Sequence, residues 1–142
     1  MVSREVFRPL ACAIAVLFAA PTLGFQDDGV QIEPLAKSAA SWNGAQLPPY
    51  PTGQPEVTVV RVRVAAGARL PVHRHPVINA GFMLAGKLTV VTEAGQTLHL
   101  EAGDAIVEVV DQWHYGHNEG TEPAELIVFY AGVREQPLTV KQ

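Results

Sequence analysis

The second half of the chain carries five histidines, His73, His75, His99, His114 and His117. Neutral imidazole is the side chain that most often holds a divalent metal. His73 and His75 stand two apart. On a β-strand, residues at that spacing project from one face, so the pair can aim two ring nitrogens at one point. A third ligand has to come from another strand, and His114 is the natural candidate, because it opens a segment able to lie beside the first pair in a closed barrel. His117 follows three residues later and points the opposite way on a strand, which suits a supporting or surface position, with proton transfer as its conceivable catalytic role. His99, between Leu98 and Leu100, belongs to a polar face. Taken alone, an H-x-H pair fits two solvated loop histidines equally well.

One carboxylate stands out. Glu108 interrupts the apolar run Ala105-Ile-Val-Glu-Val-Val110, and a buried glutamate is costly unless paired or metal-bound. Apolar neighbours on both sides deny it a parity, so an outward, solvated Glu108 remains the alternative. No separate nucleophile is available. Cys12 lies in a hydrophobic leader, and Ser38 and Ser41 lie in a proline-rich stretch. If catalysis occurs, a metal carries it, with Glu108 or His117 as the proton-transfer group.

The elements that must position these residues are short and β-rich. Val57–Val64 alternates Val60, Val62 and Val64 with Arg61 and Arg63, the pattern of a half-buried strand. Apolar runs follow at Val77–Leu84, Lys87–Thr92, Gln96–Leu100, Ala105–Val110 and Ala124–Ala131, separated by glycine-containing turns. With no amphipathic helix between them, they predict a small all-β sandwich or barrel over residues 57–136. Residues 25–56 are polar and broken by five prolines. They read as an extended arm whose Trp42, Leu47 and Tyr50 could dock on a sheet edge of this domain or of a second subunit. A homodimer is the companion expectation.

Residues 1–24 read as a secretory signal: Arg4 and Arg8, then the apolar Leu10–Ala20, then small residues to Gly24. The run is too short to span a bilayer. Its removal takes away two arginines and one glutamate, moving the formal charge from −4 to −5. That balance disfavours a nucleic acid or an anionic membrane surface as partner. The only cysteine, Cys12, leaves with the signal, excluding disulfides and thiolate chemistry. A single periplasmic or secreted domain held by its own core is expected, and 48% hydrophobic residues suffice for one.

Two frames tie the histidines together. The first runs Gly67, five residues, His73-Arg74-His75, three residues, Asn79, six residues, Gly86. The second runs Gly103, five residues, Val109-Val110-Asp111, two residues, His114, three residues, Asn118, with 16 residues between Gly86 and Gly103. In order and spacing they resemble the two sequence motifs of the cupin superfamily, and the resemblance covers about Val57 to Val133. It implies a double-stranded β-helix, or jelly-roll barrel, holding one divalent ion, whether iron, manganese, zinc, nickel or copper. His73, His75 and His114 match the family's ligand histidines. Asn79 stands where the family's glutamate would ligate, and Val109 and Asp111 replace a proline and a glycine of the second motif's turn. Either Asn79 coordinates through its amide oxygen, or Glu108 supplies the missing anionic ligand. Three neutral imidazoles would leave the ion its full charge, altering affinity, metal choice and the acidity of bound water.

The function this resemblance implies is metal-dependent chemistry on a small molecule, as in an oxygenase, isomerase or lyase. The alternative is a non-catalytic cupin that binds a sugar or effector. Fold does not choose between them, and whether the protein is an enzyme is left open.

Overall fold

The computed structural model describes residues 29–142; the signal expected over residues 1–24 lies outside the described residues. Among the described residues no helix is long and apolar enough to cross a membrane. The described residues form nine strands: β1 (Pro55–Val64), β2 (His73–Arg74), β3 (Ile78–Ala85), β4 (Lys87–Thr92), β5 (Thr97–Glu101), β6 (Ala105–Val107), β7 (His114–His117), β8 (Ala124–Val133) and β9 (Val140–Lys141). They assemble into a four-stranded sheet, β1-β8-β3-β6, and a five-stranded sheet, β5-β4-β7-β2-β9. Every pairing between strands is antiparallel. The all-β barrel expected from the alternating runs forms, with the jelly-roll arrangement that the family resemblance implies.

Period-two patterning decides what faces inward. β1 and β8 pair over ten residues without a bulge, from Pro55↔Val133 to Val64↔Ala124. That register turns Val60, Val62 and Val64 toward the interior with Leu126, Val128 and Tyr130, and leaves Arg61 and Arg63 outside, where both meet Glu125 at 3.3 and 2.7 Å. Met83, Leu88, Val90, Leu100 and Ile106 complete the buried layer between the sheets. Burying such side chains contributes roughly 2 kcal/mol each, the main force holding a domain without cross-links.

Several expectations are corrected in detail. The run at Gln96–Leu100 begins one residue later and extends to Glu101. The run Ala105–Val110 is strand only to Val107, and the chain's own arm covers that edge. Trp42 N–H donates to Val107 O at 2.9 Å, and the Ser41 hydroxyl donates to Glu108 O at 2.8 Å. The edge-covering role of the arm is therefore filled within the chain, by Ser41 and Trp42, whereas Tyr50 stays exposed. Strands β2 and β9 are two residues each, and β9 was not among the runs read from the sequence.

Glycine is required where the frames place it. Gly86 has φ +72°, and a Cβ there would lie 2.5 Å from Pro123 O. Asn118, fully buried, ties the second frame's end. Its amide donates to Val64 O, Ala65 O and Glu122 O at 3.0, 3.2 and 2.8 Å, and its oxygen accepts from Gly120 N–H at 3.0 Å.

Candidate metal centre

The short strand β2 lies between β7 and β9, and its register puts His73 directly opposite His114. His75, two residues on, shares the face of His73, and its carbonyl accepts Asp111 N–H at 2.8 Å, which pins the loop leading into β7. The three rings converge, with centroids 4.5 to 5.2 Å apart. One ring nitrogen from each lies within 4.8 Å of the others.

Hydrogen bonding sets the tautomers. His73 Nδ1 bonds Pro71 O at 2.7 Å, His75 Nδ1 bonds Leu138 O at 2.8 Å, and His114 Nδ1 bonds Gln112 O at 2.8 Å. A carbonyl only accepts, so each Nδ1 carries the hydrogen and each Nε2 keeps its lone pair free. This is how proteins orient imidazole ligands. Burial lowers the pKa of all three: His75 to about 4, with His73 and His114 also below the usual range. The backbone hydrogen bonds oppose this shift without overcoming it. The rings are thus held neutral, the state in which imidazole binds a metal.

Two polar side chains complete the inner wall. Glu108 Oε2 is 3.6 Å from His114 Nε2 and has no hydrogen-bond partner. Burial pushes its carboxyl up to about 7, against the pull of His73 and a bond from Val109 N–H. Its alternative outward position is therefore not adopted. Asn79 is 1% exposed, and neither its oxygen nor its nitrogen has a partner. The orphaned oxygens of Asn79 and Glu108 beside three free imidazole nitrogens are what a bound cation would satisfy, and this nitrogen and oxygen donor set suits a first-row divalent ion. Within the set, the three histidines form the compact group and Glu108 flanks it.

These groups line a cavity of about 330 Å³, walled also by the aliphatic Val62, Leu70, Leu88, Val90, Leu126 and Val128, with Tyr130, Thr139 and Lys141 in the same lining. A mostly apolar pocket with a few convergent polar groups is the usual form of a small-molecule site.

The other candidates are placed elsewhere. His117 alternates out of the barrel on β7, with its Nδ1 3.6 Å from Glu119; it does not line the cavity and so is not positioned for proton transfer there. His99 is exposed and bonds Thr89. Trp113 and Tyr115 lie under Arg74 and Arg69, away from the cavity lining. Sequence reasoning missed Leu138, Thr139 and Lys141, whose only signal was a four-residue alternation too short to read as a strand.

Fold and site together define a double-stranded β-helix protein with an inward-facing three-histidine centre. The chain belongs to the cupin domain family, whose model matches residues 60–130. No curated protein matches the chain. Among solved structures it is similar to a conserved protein with a double-stranded β-helix domain from Klebsiella pneumoniae, at 22% identity and TM-score 0.53, covering 64% of this chain and 87% of that one. It is also similar to the DMSP lyase DddQ of Ruegeria pomeroyi, at 24% identity and TM-score 0.54, covering 61% and 43% of the two chains. An oxalate oxidase solved with the substrate analogue glycolate matches at 25% identity and TM-score 0.52, covering 60% and 45%. The chain thus spans under half the length of those two enzymes.

Proposed function

We propose that the protein is an exported, mononuclear metal enzyme acting on a small organic molecule. The observation that carries this reading is the convergence of His73, His75 and His114, each with Nδ1 engaged by a backbone carbonyl and Nε2 free. The lyase and the oxalate oxidase among its structural neighbours support small-molecule chemistry in this fold. The basic, then apolar leader over residues 1–24 supports export.

When bound by three histidines, a divalent ion supplies a Lewis acid with positions open to substrate. The chain's own residues supply the rest. The aliphatic wall excludes water and accepts an apolar portion of the substrate, while Lys141 in the lining favours an anionic group. Glu108, unpartnered and beside His114, would hold or take a proton of a substrate bound in the cavity. Asn79 offers either an acceptor or a donor to the same ligand.

Metal analysis of protein purified from its exported location, without affinity-metal columns, tests this reading. About one divalent ion per chain is expected. Metal-free protein that takes up no iron, manganese, zinc, nickel or copper would overturn it.

A further inference from the structure

The three histidines are not held in the same way. His73 and His114 bond the carbonyls of Pro71 and Gln112, two residues before them, so their orientation is local to their own strands. His75 is held from 63 residues away by Leu138 O, and its Nδ1 also lies 3.2 Å from Thr139 Oγ1. Those two residues lie beyond the 60–130 span matched to the family.

The segment that supplies them is built into the barrel. β9 pairs with β2, Val140 opposite Arg74 and Lys141 opposite His73. Gln142 N–H donates to Val72 O at 3.1 Å, and Leu138 packs against the core. Thr139 and Lys141 form part of the cavity wall. Tyr130, whose ring lies 5.4 Å from that of His75, lines the same cavity as Thr139 and Lys141, so the segment borders the pocket next to His75.

Resting on the reading of the three histidines as ligands, we propose that Leu138–Lys141 is a positioning element of the metal centre, energetically coupled to it. The docked segment fixes the Nε2-free tautomer and the ring angle of His75, and a metal on His75 in turn fastens the segment. Coupling of this kind is reciprocal: whatever factor the segment adds to metal affinity, the metal adds to docking. Partners that orient ligand histidines are typically worth 10–100-fold in metal affinity.

The test uses Zn²⁺ and Mn²⁺ as probes on the full chain and on variants checked for folding by thermal melting. In the full chain, Zn²⁺ should slow hydrogen exchange of the Gln142 amide at least about 10-fold; unchanged exchange despite bound Zn²⁺ overturns the coupling. A chain ending after Pro137 should bind Zn²⁺ about 10–100-fold more weakly. Long-range ¹⁵N NMR should show its His75 in mixed tautomers while His73 and His114 keep theirs. Should that chain not fold, a Leu138→Gly/Val140→Pro variant undocks the segment without removing it and takes its place. Thr139→Val should weaken binding a few-fold and Thr139→Ser should restore it. A folded variant with the segment undocked, wild-type affinity and an unchanged His75 tautomer overturns the proposal. If the full chain binds neither ion, the metal reading fails by itself, and the His75 tautomer in metal-free protein still decides the positioning role.

Discussion

Asn79 and Asn118 are both buried, 1% and 0% exposed, yet they occupy regions of opposite character. Around Asn118 every polar atom is answered: three carbonyls accept from its amide and one N–H donates to its oxygen. Around Asn79 nothing is answered. Both ends of its side-chain amide and one oxygen of Glu108 are buried without a partner, in residues that line the cavity with three imidazoles whose Nε2 atoms are free. The first region is a joint whose hydrogen bonds close on themselves. The second is polar chemistry held open at a cost to folding, which is expected where a ligand completes the set. The histidines divide the same way, with His73, His75 and His114 converging inside and His99 and His117 tied to Thr89 and Glu119 on the outer face.

The largest effect should come from the open region. Alanine at His73, His75 or His114 leaves two imidazoles, too few to hold a dipositive ion well, and should weaken metal binding by about 100-fold or more. Alanine at His99 or His117 should leave it within about two-fold, as read by competition with a chromogenic chelator. Equal losses from inner and outer histidines would erase the distinction.

Next come the two asparagines. Asn118→Ala should cost about 3 kcal/mol in urea unfolding, since it strands buried carbonyls, with metal affinity of the folded fraction unchanged. Asn79→Leu should have the opposite sign in metal-free protein, stabilising by about 1 kcal/mol, because it replaces polar atoms that have no partner with apolar ones. Destabilisation of the metal-free protein by Asn79→Leu would show that its polar atoms already contribute to the fold.

Glu108→Gln should weaken metal binding about 10-fold by removing an anion near the ion. Asn79→Glu in that background should restore part of the affinity, since both positions face the same cavity. It should not restore turnover if Glu108 is the proton-moving group. The opposite order, with Glu108→Gln neutral and Asn79→Ala damaging, would make Asn79 the fourth ligand.

The same region predicts a pH signature in metal-free protein. His75 stays neutral in the fold down to about pH 4, whereas the unfolded chain protonates it near 6.5, so its contribution to stability falls as pH drops through that window. Glu108 keeps its proton in the fold up to about pH 7, whereas the unfolded chain releases it near 4.5, so its contribution falls as pH rises. The two slopes oppose each other between pH 4.5 and 6.5. Glu108→Gln should therefore steepen the acid-side loss of the urea midpoint, and an unchanged profile would refute the balance.

How much of this was legible follows from what sequence can encode. Parity was readable wherever alternation was clean: Val60, Val62 and Val64 turned inward as their spacing requires, and His73 and His75 share a face for the same reason. Glu108 had no readable parity because its flanks are apolar on both sides. Its backbone is held by long-range contacts, with its N–H donating to Asn79 O and its carbonyl accepting from the Ser41 hydroxyl. The hold of Leu138 on His75 was equally invisible, since a backbone carbonyl leaves no trace in side-chain pattern. The Asn118 joint was visible only as a spacing.

The smallest effect concerns the turn that enters β7, where Asp111 occupies a position at which the family resemblance expects glycine. Asp111 adopts φ 54°, the left-handed region that costs a side-chain-bearing residue about 1 kcal/mol, somewhat less for aspartate. Asp111→Gly would relieve that strain but add backbone freedom to the unfolded chain, a cost of about 0.5–1 kcal/mol. It would also remove a partly exposed ion pair with Arg74 at 3.2 Å, worth at most about 1 kcal/mol. These terms offset one another in part, so stability from the urea midpoint should fall by no more than about 1 kcal/mol. Metal affinity should not move, because what locates His75 from this side is the Asp111 backbone N–H, which glycine keeps. Asp111→Val separates the backbone from the side chain: it keeps the N–H but disfavours positive φ strongly, so it should both destabilise the fold and weaken the metal. If Asp111→Gly weakened the metal as much as Asp111→Val, the aspartate side chain itself would belong to the open region, and the turn could no longer be assigned to scaffolding alone.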